Sequence, residues 1–238
     1  MFPPNGKSLV HDPLTVTPLI PTGLWYQAGP GTRVHPSAIL EQKVVLGSNV
    51  AIWDNVHIRH DTTVGDECII GEKTYIAYGV RIGHRCKINN MVSICTAVTI
   101  ADGVMISAGT VFTNDRFPRA TTPDLLHLRP SEPDETTLPT HVGEGATIGA
   151  NCTIGNDLSI GRWAMIGMGS VVTRSIPDFA LALGVPAQVV GIVCKCGQLL
   201  LKHEPGKPPA EKDLPCLTCQ RSYKTIDGVT RDLDPRSP

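Results

Sequence analysis

Four of the eight cysteines stand in two close pairs near the end of the 238-residue chain: Cys194 and Cys196 in CKCG, Cys216 and Cys219 in CLTC. The second pair has the spacing of a metal knuckle, and four thiolates together suit a closed structural zinc site. The first pair is one residue tighter than the usual C-x2-C, so reduced thiols without metal stand as the alternative. Histidines supply the second kind of chemistry, because imidazole titrates near neutral pH and can act as a general base. His57, His60, His84, His127 and His141 are available. His84, on a central repeat, is the best placed of them, against the reading of each as a surface histidine. Arg119 follows Pro118 in a proline-rich segment, where its guanidinium can fork onto a phosphate or a carboxylate or simply be solvated. Asn114 stands where that segment leaves the repeat, a place where an asparagine can cap the loop by satisfying backbone groups.

These residues hang on a repeat. From Val34 to Phe112 the chain reads in sixes: VHPSAI, LEQKVV, LGSNVA, IWDNVH and onward to ISAGTV and FTNDRF. The first position of every hexad is apolar, and the fifth is small or β-branched almost throughout. A short strict period of this kind predicts a parallel β-helix with three hexads, eighteen residues, to a triangular coil. First-position side chains fill the interior and fifth-position ones pack near the corners. Cys68, Cys86 and Cys152 fall on fifth positions and read as small inward packing residues, while Cys95, on a second position, reads as inert.

The period breaks over residues 113–141, TNDRFPRATTPDLLHLRPSEPDETTLPTH, and resumes at Val142, thirty residues after Phe112 and therefore in phase. Structureless loops of that length inside a compact unit are uncommon unless functional, and decoration is the alternative. The organisation predicted is an arm or cap over 1–33, an all-β solenoid over 34–193 with an ejected loop at 113–141, and a small cysteine-containing extension over 194–238.

Composition excludes several classes. The net charge of −1 leaves no electrostatic footprint for nucleic acid, and no apolar run reaches transmembrane length. The first residues lack the charged-then-apolar order of a signal peptide. A cytoplasmic location follows as the expectation, with the cysteines reduced or metal-bound.

The hexads opening I-G, the segment IGHRCKINNMVSICTAVTIADGVMISAGTVFTND, the loop opening FTNDRFPRA, and the closing GATIGANCTIG, IGMGSVVTRSIPDFALALGVPAQVVG and VCKCG resemble the hexapeptide-repeat acyltransferases. Within them they are similar to the N-acetyltransferases of sugar-nucleotide amino sugars, over roughly residues 34–197. The resemblance implies a left-handed parallel β-helix assembled as a homotrimer with sites between subunits. It also implies acetyl-CoA as cosubstrate and a UDP- or dTDP-linked amino sugar as acceptor. Carried onto this chain, it makes Asn114 the group that orients the acceptor amine. Asn89 and Asn90 are outward residues facing a neighbouring subunit, with an asparagine ladder as the alternative, and they join Arg119 as substrate-binding candidates. Gly149, Ala150, Gly167 and Gly169 would let backbone approach the pantetheine arm, with Arg174 and Pro186 near the nucleotide end. The plain alternative for these glycines is corner geometry.

Three competing readings remain. A γ-type carbonic anhydrase would need a histidine five residues after His84, where this chain has Asn89. An O-acetyltransferase would need a histidine base near the loop, where Asn114 stands. A non-catalytic β-helix scaffold is the third.

Overall fold

The computed structural model describes residues 26–135, 137–207 and 209–234. Short strands follow one another along the chain, and each pairs in parallel with the strand one coil on, as Lys87 and Ile88 do with Met105 and Ile106. Three sheets result, which are the three faces of a prism. Face one runs from Tyr26–Ala28 through Arg81–Ile82 and Val98–Ile100 to Leu158–Ile160. Face two runs from Arg33–Val34 through Lys87–Ile88 and Met105–Ile106 to Met165–Ile166, and face three from Ile39–Leu40 through Val111–Phe112 to Val171–Val172. The architecture is the all-β hexapeptide β-helix expected, with no helix among the described residues.

First-position residues fill the prism: Ile52, Ile58, Ile70, Ile76, Ile88 and Ile94 are all 0% exposed. The fifth positions do more than pack. Their hydroxyls and thiols donate to the carbonyl at the second position of the next coil: Thr62 to Ala77 at 2.9 Å, Thr74 to Asn89 at 2.9 Å, Cys68 to Gly83 at 3.1 Å and Cys86 to Ala101 at 3.1 Å. Threonine and cysteine interchange there because each offers one small donor to a corner carbonyl.

The fourth position carries a constraint that the periodicity left unread. From Lys43 through Gly169 it is the left-handed residue of the corner, including Asn49, Asn55, Asp61, Arg85, Met91 and Trp163. Glycine, asparagine and aspartate tolerate that conformation, and other side chains cost about 1–2 kcal/mol there. Gly169 has φ +70° and open space where a Cβ would point. Gly149, a second-position glycine, faces the opposite demand: a Cβ there would stand 2.5 Å from the backbone nitrogen of Met168.

Three boundaries differ from expectation. The solenoid begins at Tyr26, whose strand pairs with Val44–Leu46, so residues 26–33 are coil rather than cap; residues 1–25 lie outside the described residues. It resumes at Thr140, buried and paired with Val98, two residues before Val142. At the far end Ala180–Gly184 and Ala187–Val193 form an antiparallel hairpin through the cis Val185–Pro186 bond, and Leu199–Lys202 adds to the same sheet. The chain beyond Cys194 therefore continues face two before it forms its own sheet of Lys212–Pro215, Ser222–Ile226 and Val229–Asp232.

Substitution separates the two glycine demands. Gly149→Ala pushes a Cβ into backbone and should cost about 2–3 kcal/mol in urea denaturation, whereas Gly169→Ala meets only conformational strain and should cost about 1 kcal/mol.

Candidate active site

Each face ends in a corner, and register assigns every predicted residue to one of the three. His84 stands at the first corner, after face one. Asn89, Asn90, Gly149, Ala150, Gly167 and Gly169 share the second, after face two, because Lys87, Met105, Thr147 and Met165 are successive register partners. Pro186 joins that corner through the terminal hairpin, whose Gly184 amide donates to Ser170 Oγ at 3.1 Å. Asn114 and Arg174 share the third corner, since Val111, Thr153 and Val171 are in register.

At the first corner the side chains form a ladder that holds backbone. Ser48 N donates to Asp66 Oδ1 at 2.7 Å, Asp66 N to His84 Nδ1 at 3.0 Å, and His84 N to Asp102 Oδ1 at 2.9 Å. His84 Nδ1 also stands 3.2 Å from Asp66 Oδ2, so this side of the ring is engaged by Asp66, and His84 lies one corner away from Asn114 on this chain.

At the second corner the glycines of the notional cofactor wall divide. Gly149 is dictated by the next coil, and a Cβ on Gly167 would meet Leu183 Cδ2 at 2.1 Å. Gly169 alone presents open space. Asn89 and Asn90 are half-buried, and both use their carbonyls for the coil, accepting from Thr74 Oγ1 and from the Gly109 amide.

The third corner holds the cleft. The ejected segment folds back on itself through bridges between Asp115 and Thr137 and between Thr121 and Leu128. Arg129 fastens it, donating to Phe117 O at 2.9 Å. Beneath it is a cavity of about 370 Å³ lined by Asn114, Asp115, Arg119, Arg129, Ser131, Glu132 and Asp134 with neighbouring loop residues. Asn114 and Arg119 thus line the same cavity. The Asn114 carbonyl accepts from Asn156 Nδ2 at 3.3 Å, which orients the backbone there. Arg119 donates to Pro118 O at 3.0 Å.

Sequence reasoning missed what lies below Asn114 in the same column. Counting back by eighteens reaches Thr96, Tyr78 and His60, because Ile39, His57, Tyr75, Ser93 and Val111 are in register on face three. His60 and Tyr78 stack at 5.1 Å between centroids with 5° between planes, and Arg59 lies over Tyr78. Glu41 pairs with the Arg59 guanidinium, takes His57 Nε2 at 2.9 Å and accepts the His60 amide at 3.1 Å. Partial burial pushes the Glu41 carboxyl up, but these hydrogen bonds outweigh it and hold the carboxyl below its ordinary range. Tyr78 is pushed up, first by burial and then by the Glu132 carboxylate, so the loop is felt two coils down. The eighteen-residue count, applied to Asn114, would have found this column.

The cysteines also sort as the repeat suggests. Cys95 donates to Phe112 O at 2.8 Å, and burial raises its thiol. Cys194, Cys196, Cys216 and Cys219 converge, with all four sulfurs within 4.8 Å of one another. Backbone amides, foremost that of Cys219, hold the Cys216 thiol down to about 6, while burial pushes Cys194 up to about 12. A separate cleft of about 270 Å³ between the last coil and the terminal sheet, lined by Pro177, Val189, Ile192 and His203, contains none of the residues singled out.

The repeat places the molecule in a class. Residues 43–78 and 139–174 match the family model described as bacterial transferase hexapeptide (six repeats), so those stretches of the solenoid carry that hexapeptide repeat. More particularly, the chain is 40% identical over 94 residues to dTDP-3-amino-3,6-dideoxy-alpha-D-galactopyranose 3-N-acetyltransferase of Aneurinibacillus thermoaerophilus, covering 40% of this chain and 45% of that one. It is 40% identical over 52 residues to bifunctional protein GlmU of Fervidobacterium nodosum, covering 22% of this chain and 12% of that one. The matches thus span less than half the length of these curated relatives. Among solved structures it is similar to AntD, an N-acyltransferase from Bacillus cereus in complex with dTDP and 3-hydroxybutyryl-CoA, at 20% identity and a TM-score of 0.48, covering 76% of this chain and 85% of that one.

Glu41 generates a signed expectation. A depressed folded pKa contributes stability that is present above the unfolded carboxylate pKa and lost as pH falls through the folded one. Glu41→Gln should therefore melt below the parent at neutral pH, and the gap should close on acidification below the carboxylate range.

Proposed function

We propose that this protein is an acetyl-CoA-dependent N-acetyltransferase acting on the amino group of a nucleotide-linked amino sugar, UDP- or dTDP-borne. The observation that carries the reading is the cleft where the ejected loop meets the third corner, which holds Asn114 and Arg119 together. The 40% identical stretch shared with a dTDP-3-amino-sugar 3-N-acetyltransferase supports it.

The reaction makes modest demands on the protein. A neutral amine attacks the thioester carbonyl, the N–C bond forms, the C–S bond breaks, and the proton from nitrogen passes to the departing thiolate. No strong base is required, so orientation and oxyanion stabilisation supply most of the acceleration. Asn114 orients the amine, and Arg119 takes a phosphate oxygen or a sugar carboxylate. The cleft sets the carboxylates Asp115, Glu132 and Asp134 beside the guanidinium groups of Arg119 and Arg129, so it can pair with both an amine and a phosphate.

The acyl-CoA wall at the second corner stands one face away from Asn114, about 15–20 Å for a six-residue side. We assign the completed site to a homotrimer, in which the second corner of one chain meets the loop of the next. The second corner carries Met168 at 83% and Val185 at 71% exposure, apolar surface that a second copy would cover. Gly169, Arg174 and Pro186 would then line the cofactor's path. The eight unbridged cysteines accord with a cytoplasmic location.

The test is thiol release from acetyl-CoA with a panel of UDP- and dTDP-amino sugars, alongside plain sugar nucleotides. Turnover confined to the amino sugars is expected; turnover on hydroxyl acceptors alone would overturn the reading. Asn114→Ala should lower kcat/KM about a hundredfold with the assembly intact. Met168→Glu should shift the mass measured by light scattering from three chains to one, and a parent that runs as a single chain would remove the trimer.

A further inference from the structure

The C-terminal thiol cluster is a separate site, built from two turns that arrive from different sheets. The first turn follows the strand Ala187–Val193, and Cys194 closes it by donating N–H to Gln198 O and accepting N–H from Gly197, both at 2.8 Å. The second follows Lys212–Pro215, where Cys216 N donates to Arg221 O and Cys216 O accepts from Gln220 N. The first turn is folded tightly about sulfur, with Cys196 N donating to Cys194 Sγ at 3.5 Å.

The sulfur positions fit one ion. Cys194 and Cys219 stand 3.3 Å apart, Cys196 and Cys216 stand 3.6 Å apart, and no pair exceeds 4.8 Å. A tetrahedral ion with Zn–S bonds of about 2.3 Å sets its ligands about 3.8 Å apart, within that spread. Tetrahedral sulfur ligation selects zinc or iron, and four protein ligands leave no open position for chemistry. The tighter first pair, which weakened the case on spacing alone, is accommodated because Gly197 takes φ +88° to turn the chain directly after Cys196.

We propose that Cys194, Cys196, Cys216 and Cys219 hold one structural zinc ion, which seats the C-terminal three-stranded sheet on the last coil of the solenoid. The surroundings connect the two. Tyr223, fully buried, donates its hydroxyl to Cys194 Sγ at 3.2 Å, accepts Lys195 N–H at 3.0 Å and packs edge-on against Phe179 of the last coil. Lys195 reaches Asp232 at 2.9 Å and lies over the ring of Trp163 at 5.2 Å. Trp163, at a left-handed corner position, in turn lies on Gly145, where a Cβ would stand 2.4 Å from its ring. The core beneath the small sheet is limited to Leu214, Cys216 and Tyr223 with Phe179, Ile192 and Cys194, and with Leu200 and Leu201 packed against them. A metal cross-link between the two turns would add to so small a core.

This inference is independent of the acetyltransferase reading, because its readouts are metal content and local protection. The full chain, purified under reducing conditions, should contain about one zinc per chain by elemental analysis. Exchange with Co²⁺ should give the intense visible bands of a tetrahedral tetrathiolate. Cys216→Ser and Cys219→Ser should lose the metal, and Cys95→Ser should keep it. If the serine variants fail to fold, the Co²⁺ spectrum of the unmodified chain decides alone. Zinc withdrawal by a chelator should raise amide exchange across 212–232 and leave 93–112 protected. A metal-free chain with all eight thiols reactive, two disulfides in the reduced preparation, iron in place of zinc, or unchanged exchange in the terminal sheet would each overturn the proposal.

Discussion

The backbone hydrogen bond from one coil to the next governs the solenoid and the sites built on it. Each strand from Tyr26–Ala28 to Val171–Val172 is only two or three residues long, so none of them has stability of its own. The ladder holds because the same bond repeats at every level, as from Lys87 N to Val104 O and from Met105 N to Ala146 O. Repetition demands that every coil have the same perimeter. That demand explains the invariant apolar first position, the small donor at the fifth, the left-handed fourth and the glycine that so often occupies the second.

The same constraint decides where chemistry can live. Faces are consumed by pairing and interiors by close packing, which leaves corners and departures from the coil. The ejected loop is the one large departure among the described residues, and it leaves and returns without disturbing register: Val98 pairs directly with Thr140 across it. Its cleft therefore rests on rigid coils. Below it, the column of Tyr78, His60 and the Glu41–Arg59 pair extends the polar surface down the third corner. The first corner makes the contrast: His84, with comparable exposure, is spent on holding the amide of Asp66.

The C-terminal sheet is governed by different physics. It has antiparallel pairing, no repeat and a small core, and its contact with the solenoid runs through a handful of side chains about Tyr223, Lys195 and Trp163. A solenoid needs its last coil covered, because an open edge of backbone groups invites another chain. The hairpin at Pro186, the strand Leu199–Lys202 and the thiol-linked turns serve that need in succession.

The sequence by itself determined the prism. Its six-residue period states which side chains face inward, and the phase kept between Phe112 and Val142 marks the loop as an insertion on an intact scaffold. These are local properties, read from neighbours along the chain. Left-handed corners were legible in Asn49, Asp61 and Gly169 but hidden at Lys73, Met91 and Trp163, where coil closure overrides residue preference. What only the tertiary structure decided is which residues meet. His84 and Asn114 fall on different corners because position within eighteen residues, not within six, selects a corner. The cysteine pairs converge because the hairpin turn that carries Cys216 and Cys219 packs with Tyr223 against the turn at Cys194. The physical reason is common to both: the period constrains each coil alone, whereas proximity across a spacer or around a corner exists only once the coils are stacked.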